Sequence, residues 1–212
     1  GFEFDGDGDY IEMPGTGSNV TGSDLSISLW AKWYVTGSTD YNTLVGKRDG
    51  NDAQYFLYSY KGSPRFTFRS GGAWQADSAC SSCGDMRDGT WYHIVLIYNG
   101  TDYCYYTDSI RKNCFSETAD LEYFNVPLRI GYYKSGDERP FNGSIDEVMV
   151  FNRSLTSAEI LALYNSSANR IQTTLDSDDL VAGANVFDVY AVDKGGNKNS
   201  TSLTINYDST GP

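Results

Sequence analysis

An all-β fold, a sandwich or barrel of short strands, is what this 212-residue sequence predicts. Three observations carry the prediction. Aromatic residues make up 15% of the chain and include 17 tyrosines, and such side chains suit a pleated, half-buried surface. Apolar and polar residues alternate in many short runs. Gly, Asn or Asp separates most of those runs.

Residues 3–13 alternate around the turn-rich segment Phe4-Asp5-Gly6-Asp7-Gly8-Asp9-Tyr10. The run Leu25–Trp33 puts Leu25, Ile27, Leu29 and Ala31 on one face, because successive strand side chains point to opposite sides. Strand-like runs follow at Tyr41–Lys47, Gln54–Tyr60, Arg65–Arg69, Trp91–Tyr98, Tyr103–Thr107, Ile110–Phe115, Pro127–Tyr133 and Ser144–Phe151. The one good helix signal is Thr156–Tyr164. Thr156 and Glu159 form a capping box there, and Ile160, Leu163 and Tyr164 form a narrow apolar stripe. So short a helix must be held by packing on the sandwich. Beyond Asn165 the character changes, and residues 185–208 alternate in two runs around Lys194-Gly195-Gly196-Asn197, which predicts a β-hairpin. An isolated hairpin is marginal in water, so this tail must pack on the sandwich, on a further segment or on another chain.

Sixteen basic against 28 acidic residues give a net charge of −12. That balance is wrong for nucleic acid, whose affinity comes from Lys and Arg on phosphates, and it disfavours an anionic membrane surface. No run approaches the ~20 apolar residues of a membrane span. The first residues are not a signal peptide, so the chain reads as a mature product or an excised segment. The acidity itself has two readings, solubility or carboxylates that hold Ca²⁺.

Four cysteines fall as Cys80-Ser81-Ser82-Cys83 and as Cys104 and Cys114. A CxxC pair is compatible with redox chemistry or half a zinc site. The second pair is not CxxC-spaced and flanks Asp108-Ser109, a predicted hairpin tip. We therefore expect structural disulfides, Cys104–Cys114 across two strands and Cys80–Cys83 in a short loop. Asn19, Asn99, Asn142, Asn152, Asn165 and Asn199 each begin an N-x-S/T sequon. With the cysteines, these candidate glycosylation sites point outside the cell.

Three stretches resemble one family. Phe4-Asp5-Gly6-Asp7-Gly8-Asp9-Tyr10-Ile11, Asp88-Gly89-Thr90-Trp91-Tyr92-His93-Ile94-Val95 and Phe141-Asn142-Gly143-Ser144-Ile145-Asp146-Glu147-Val148 are similar to the first, central and closing strands of the laminin-G-like, concanavalin-A-like jelly-roll domains. The last stretch continues into the family's terminal helix. The resemblance implies an antiparallel two-sheet jelly-roll sandwich over residues 1–166, with one short helix near its end. Family members often bind Ca²⁺ and are mostly carbohydrate- or protein-binding modules. Residues 167–212 are similar to the closing strands of immunoglobulin-like modules, which implies a partial second domain.

Asp5, Asp7 and Asp9 are the best metal candidates, because carboxylates on alternate residues of a glycine-loosened turn can converge on one hard cation. Asp146 adds a fourth carboxylate if the first and closing strands are neighbours, as the family fold implies. The other reading is a solvated acidic turn. Asp146 and Glu147 are adjacent on a strand, which sends them to opposite faces and disqualifies them as a catalytic pair. His93 is the single histidine, and no nucleophile pattern accompanies it. Trp74, Tyr132 and Tyr133 lie beside polar loops, where exposed rings would suit sugar recognition. The expected function is a non-catalytic, secreted or cell-surface binding and adhesion module for a glycan or a surface protein. Its rivals are an accessory domain of a hydrolase, or a structural repeat of a surface layer, stalk or filament, assembled from copies of itself by strand exchange through the tail.

Overall fold

The computed structural model describes residues 1–15, 20, 22–34, 41–133, 139–168, 183–192 and 198–207. The chain divides into two compact units, Gly1–Ala168 and Asn169–Pro212.

The first unit contains two six-stranded antiparallel sheets, in agreement with the expected jelly-roll sandwich. One holds, in spatial order, β1 (Phe2–Asp5), β12 (Asn142–Phe151), β3 (Asp24–Trp33), β8 (Tyr92–Asn99), β9 (Asp102–Thr107) and β10 (Ile110–Ser116). The other holds β2 (Ile11–Met13), β11 (Leu128–Ile130), β4 (Tyr41–Asp49), β5 (Asp52–Tyr60), β6 (Ser63–Ser70) and β7 (Ala73–Ala79). The single alternating run at residues 3–13 resolves into two strands in different sheets. Gly6 and Gly8, at φ 84° and 90°, carry the chain between them in a backbone region that side chains disfavour. Strand β7 has no counterpart in the alternation pattern. The described residues of the second unit form the hairpin β13 (Gly183–Val192) and β14 (Lys198–Tyr207), paired from Gly183↔Tyr207 to Val192↔Lys198. The expected turn at 194–197 lies outside the described residues.

The core lies between the sheets. Leu25, Ile27, Leu29, Ala31 and Trp33 of β3 are fully buried, and they meet Leu44, Tyr55, Leu57, Phe66 and Phe68 of the opposite sheet in one apolar cluster. Burial at roughly 25 cal/mol per Å² makes this contact the main source of stability.

The first sheet's outer face is covered by α1 (Ser157–Ala168), which runs four residues past the Tyr164 end that the helix signal suggests. Its capping box forms as expected: Glu159 N–H donates to Thr156 Oγ1 at 3.3 Å, and Thr156 N–H donates to Glu159 Oε2 at 2.8 Å. Ile160 packs with Leu155, Val95, Ile97 and Tyr106. Tyr164 stacks on Trp30 at 5.7 Å and lies against His93 at 6.0 Å. Beneath them Ser28 Oγ and His93 Nε2 are 2.9 Å apart.

Both disulfides are present. Cys104 and Cys114 are directly opposed on β9 and β10, and Asp108 and Ser109, at φ 51° and 64°, make the hairpin turn between them. Cys80–Cys83 closes the shorter loop. Replacing Cys104 and Cys114 by Ser opens a loop of about ten residues and should cost roughly 3 kcal/mol, against about 2 kcal/mol for the Cys80/Cys83 pair, by denaturant unfolding.

Burial under the helix pushes the His93 imidazole down to about 4, with the Glu147 charge acting the other way. The unfolded chain therefore binds a proton that the folded one refuses. Stability contributed by neutral His93 is complete above pH 6.5 and is lost as the pH falls through about 4. The loss should be of the order of 3 kcal/mol. In a His93→Gln variant, the pH 7-to-4 decline in unfolding free energy should shrink by that amount. An unchanged decline would refute the assignment.

Candidate functional site

The outer face of the second sheet follows from its inner one. Tyr55 and Leu57 of β5 point into the core, so Phe56 and Tyr58 point away from it. On β6, Phe66 and Phe68 are core residues, and Arg65, Thr67 and Arg69 take the other side. Opposite Phe56 stands Gly46, where a Cβ would come within 2.5 Å of Phe56 Cδ2. The missing side chain leaves room for the phenyl ring to lie close to the sheet.

Rings and guanidinium groups cover this face. Phe56 stacks on Tyr58 at 5.0 Å and packs against Tyr133 at 5.6 Å, while Tyr41 stacks on Tyr58 at 5.9 Å. The Arg48 guanidinium lies 4.0 Å from the Tyr133 ring centroid, 4.5 Å from Trp74 and 4.9 Å from Phe56. Arg139 lies 4.2 Å from Tyr41 and 5.6 Å from Tyr58. Arg69, paired with Trp74 across β6 and β7, reaches its indole at 5.3 Å. Trp74 itself is 39% exposed, the most open ring of the group.

The charges on this face are unevenly matched. Arg65 pairs with Asp77 at 3.4 Å, and Asp77 also accepts the Tyr58 hydroxyl. Burial, reinforced by that carboxylate, pushes the Tyr58 phenol up, so it stays a donor. Arg48 and Arg69 form no ion pair among the described residues. Arg48 Nε donates to Gly50 O at 3.2 Å, while Arg69 Nε is buried with no hydrogen-bond partner among them. Burial, and to a lesser degree the neighbouring Arg139, press the Arg48 guanidinium down, while the Tyr133 hydroxyl opposes them through its charge and a hydrogen bond. An aromatic floor edged by N–H donors can hold a flat or ring-shaped polar ligand.

Of the three aromatic candidates, Trp74 and Tyr133 meet here around Arg48. Tyr132 does not. It faces the other way and stacks on Tyr10 at 5.8 Å. Nor are the two tyrosines open as expected: Tyr132 is 7% and Tyr133 4% exposed, because both follow β11 into the packed end of the sheet. Tyr133 forms part of the floor, with its hydroxyl donating to Gly50 O at 3.0 Å. Arg48, Arg69, Phe56 and Tyr58 were not candidates from sequence. The apolar run Tyr55-Phe56-Leu57-Tyr58, which leaves neither face of β5 polar, was the available signal.

The four acidic candidates do not assemble. Asp5 is paired with Asn142, while Asp146 lies at the far end of β1 and binds the Gly1 amino group at 3.0 Å. The carboxylates of the turn are turned on its own backbone: Asp7 N–H donates to Asp5 Oδ1 at 2.7 Å, and Asp5 N–H to Asp9 Oδ2 at 3.2 Å. Among the described residues, no three Asp, Glu, His or Cys side chains are placed to share a metal ion. The groups present do not fit the calcium site that the sequence suggests.

Asp146 and Glu147 sit in a β-bulge, with Glu147 at φ 50°, so the simple alternation invoked for them is interrupted. Asp146 is tied to Gly1 and to Glu147 N–H at 2.9 Å. A serine does lie beside His93, contrary to the sequence reading, yet Ser28 is fully buried and His93 is 1% exposed beneath Tyr164. Substrate has no approach to that pair.

Among the sequons, Asn99 and Asn152 are exposed at strand ends. Asn142 uses the amide nitrogen that would carry a glycan to donate to Asp5 O at 2.6 Å. Asn165 is in α1 and Asn199 in β14, while Asn19 lies outside the described residues.

Residues 5–161 match the family model described as the concanavalin A-like lectin/glucanases superfamily. A search of curated proteins finds no match. Among solved structures, the receptor-binding domain of botulinum neurotoxin D is similar at TM-score 0.63 and 16% identity, covering 79% of this chain and 44% of that one. Domain 4 of AbnA, a GH43 extracellular arabinanase from Geobacillus stearothermophilus solved with arabinotriose, is similar at TM-score 0.55 and 21% identity, covering 73% and 72%. The binding domain of Paraclostridial Mosquitocidal Protein 1 is similar at TM-score 0.54 and 14% identity, covering 96% and 60%. The chain thus spans less than half of the toxin domain, and at these identities the likeness is one of fold. With the family model matching about three-quarters of its length, the chain belongs to the concanavalin A-like lectin/glucanase superfamily.

Proposed function

We propose that the Gly1–Ala168 unit is a non-catalytic glycan-binding module of a secreted or cell-surface protein. Its ligand platform is the outer face of the second sheet. The observation that carries this reading is the open Trp74 indole flanked by Arg48 and Arg69 above a floor of Phe56 and Tyr133. A ring face packs against sugar C–H groups, and guanidinium N–H groups donate to hydroxyls. The bound trisaccharide named for the arabinanase domain supports a sugar as ligand, and the toxin domains support binding as the role. A non-catalytic role is supported by the sealed Ser28–His93 pair and by the anchoring of Asp146. The two disulfides fit an oxidising compartment.

A second reading rests on the separate hairpin of β13 and β14. Two strands alone bury little, so this unit gains stability by pairing with other strands, including those of a second copy. A surface layer or filament built by strand exchange would use that property. In that case size-exclusion chromatography shows concentration-dependent oligomers that disappear when residues 169–212 are removed. A monomer at every concentration rules out the exchange.

Two measurements test the main reading. On a glycan array, Trp74→Ala should weaken binding of whichever oligosaccharide the intact chain selects by at least about tenfold, with an unchanged melting temperature. An array with no bound sugar would remove the reading. Because the acidic turn is held by its own hydrogen bonds, EDTA should leave the melting temperature within about 1 °C. Tight native-state calcium would instead lower it on chelation.

A further inference from the structure

We infer that the platform's ligand is an anionic saccharide, a sugar ring bearing a carboxylate, with Arg48 and Arg69 as the groups that select its charge. This inference rests on the glycan reading above and narrows it to one chemical class.

The case starts from charge. The chain carries 28 acidic and 16 basic residues, yet four arginines, Arg48, Arg65, Arg69 and Arg139, gather over one sheet face. Arg65 has a carboxylate partner there that cancels its charge, Asp77. Arg48 and Arg69 both lie against the Trp74 ring, at 4.5 and 5.3 Å, and form no ion pair among the described residues. Like charges held together without compensation cost free energy. Arg139 adds to that cost, since its charge disfavours the charged form of Arg48. A face built to bind only neutral hydroxyls would not need this arrangement.

Hydrogen-bonding capacity points the same way. Stacking on rings occupies the faces of a guanidinium plane and leaves its N–H edges for acceptors. Arg48 donates Nε–H to Gly50 O and hydrogen-bonds the Tyr133 side chain, which leaves part of its fork for a ligand. Arg69 Nε is a buried donor with no hydrogen-bond partner among the described residues. A buried donor left unmatched costs free energy, and an ionised acceptor offsets more of it than a neutral one. A carboxylate offers two oxygens in the plane and spacing of a guanidinium fork. Trp74, lying between the two arginines, supplies the apolar surface for the ring that carries the carboxylate.

The test uses the full chain in titration calorimetry with oligogalacturonate, a sialylated lactose, their methyl esters and a polyphosphate. Binding of one or both carboxylated sugars is expected, weakened at least about tenfold by esterification and by raising salt from low to physiological strength. Arg48→Gln and Arg69→Gln should each remove most of the preference for acid over ester, while Trp74→Ala should weaken acid and ester alike. Far-ultraviolet circular dichroism confirms that each variant is folded. Galacturonate without sialyl binding, or the reverse, identifies which acid sugar is taken. Equal affinity for acid and ester overturns the anionic selection but leaves glycan binding standing. Polyphosphate binding as tight as that of the sugars and insensitive to Trp74→Ala reduces the face to nonspecific ion pairing and overturns this inference. No binding of either acid or its ester overturns the anionic selection, and the glycan reading itself falls only if the array also shows no bound sugar.

Discussion

Burial of β5 and β6 against β3 and β8 sets everything else in the first unit. Once Tyr55, Leu57, Phe66 and Phe68 enter the core opposite Leu25, Ile27 and Leu29, the two-residue period of a strand leaves no freedom about what faces outward. Phe56, Tyr58, Arg65 and Arg69 must then share one surface. A one-residue slip of β5 would exchange the core and platform sets, and would leave Gln54 and Ser59 facing altered neighbours. The large transfer free energy of the aromatic core residues guards against that slip. The platform is thus as well fixed as the core that lies beneath it.

The two outer faces are finished differently. On the first sheet, α1 closes over Val95, Ile97 and Tyr106, and buries polar side chains with them. Ser26 survives there by bonding Arg153 O at 2.9 Å and receiving Leu155 N–H at 3.0 Å. His93 survives by staying neutral beside Ser28. On the second sheet, among the described residues, no apolar helix stripe is used. Cationic side chains lie across rings instead, which shields the aromatic faces partly from water while keeping N–H groups at the surface. The first solution seals a face, and the second leaves one able to take a ligand.

Much of this was legible in sequence. The alternation of Leu25–Trp33 identified four core residues, and Asp108-Ser109 between two cysteines identified a hairpin and its disulfide. The capping box located the start of α1. What escaped was decided by tertiary context. Tyr55-Phe56-Leu57-Tyr58 is apolar throughout, so periodicity cannot say which pair is core. Asp5, Asp7 and Asp9 looked like converging ligands, because sequence does not reveal that backbone amides of the same turn take oxygens of Asp5 and Asp9. Asp146 was expected to join them from strand adjacency alone. The strands are adjacent, but their register carries Asp146 to the amino terminus. A bulge at Asp146–Met149 then defeats the alternation that separates Asp146 from Glu147.

Tyr132 and Tyr133 show how the site itself emerged only in part. Adjacent in sequence beyond β11, they part to opposite sides, one ring to Tyr10 and the other to Phe56. Residue type marked both as sugar-stacking candidates, yet packing buries both rings and leaves Trp74 as the most exposed ring of that face. The arginines were invisible for a further reason. In a chain of net charge −12, basic residues read as scattered solubilising groups until the sheet is folded. Arg48 and Arg69 are 21 positions apart in sequence and come from different strands, and only the fold brings both onto the same indole. The concentration of positive charge on one face of an acidic protein is therefore a property of topology. It gives the surface a local sign that the composition as a whole conceals.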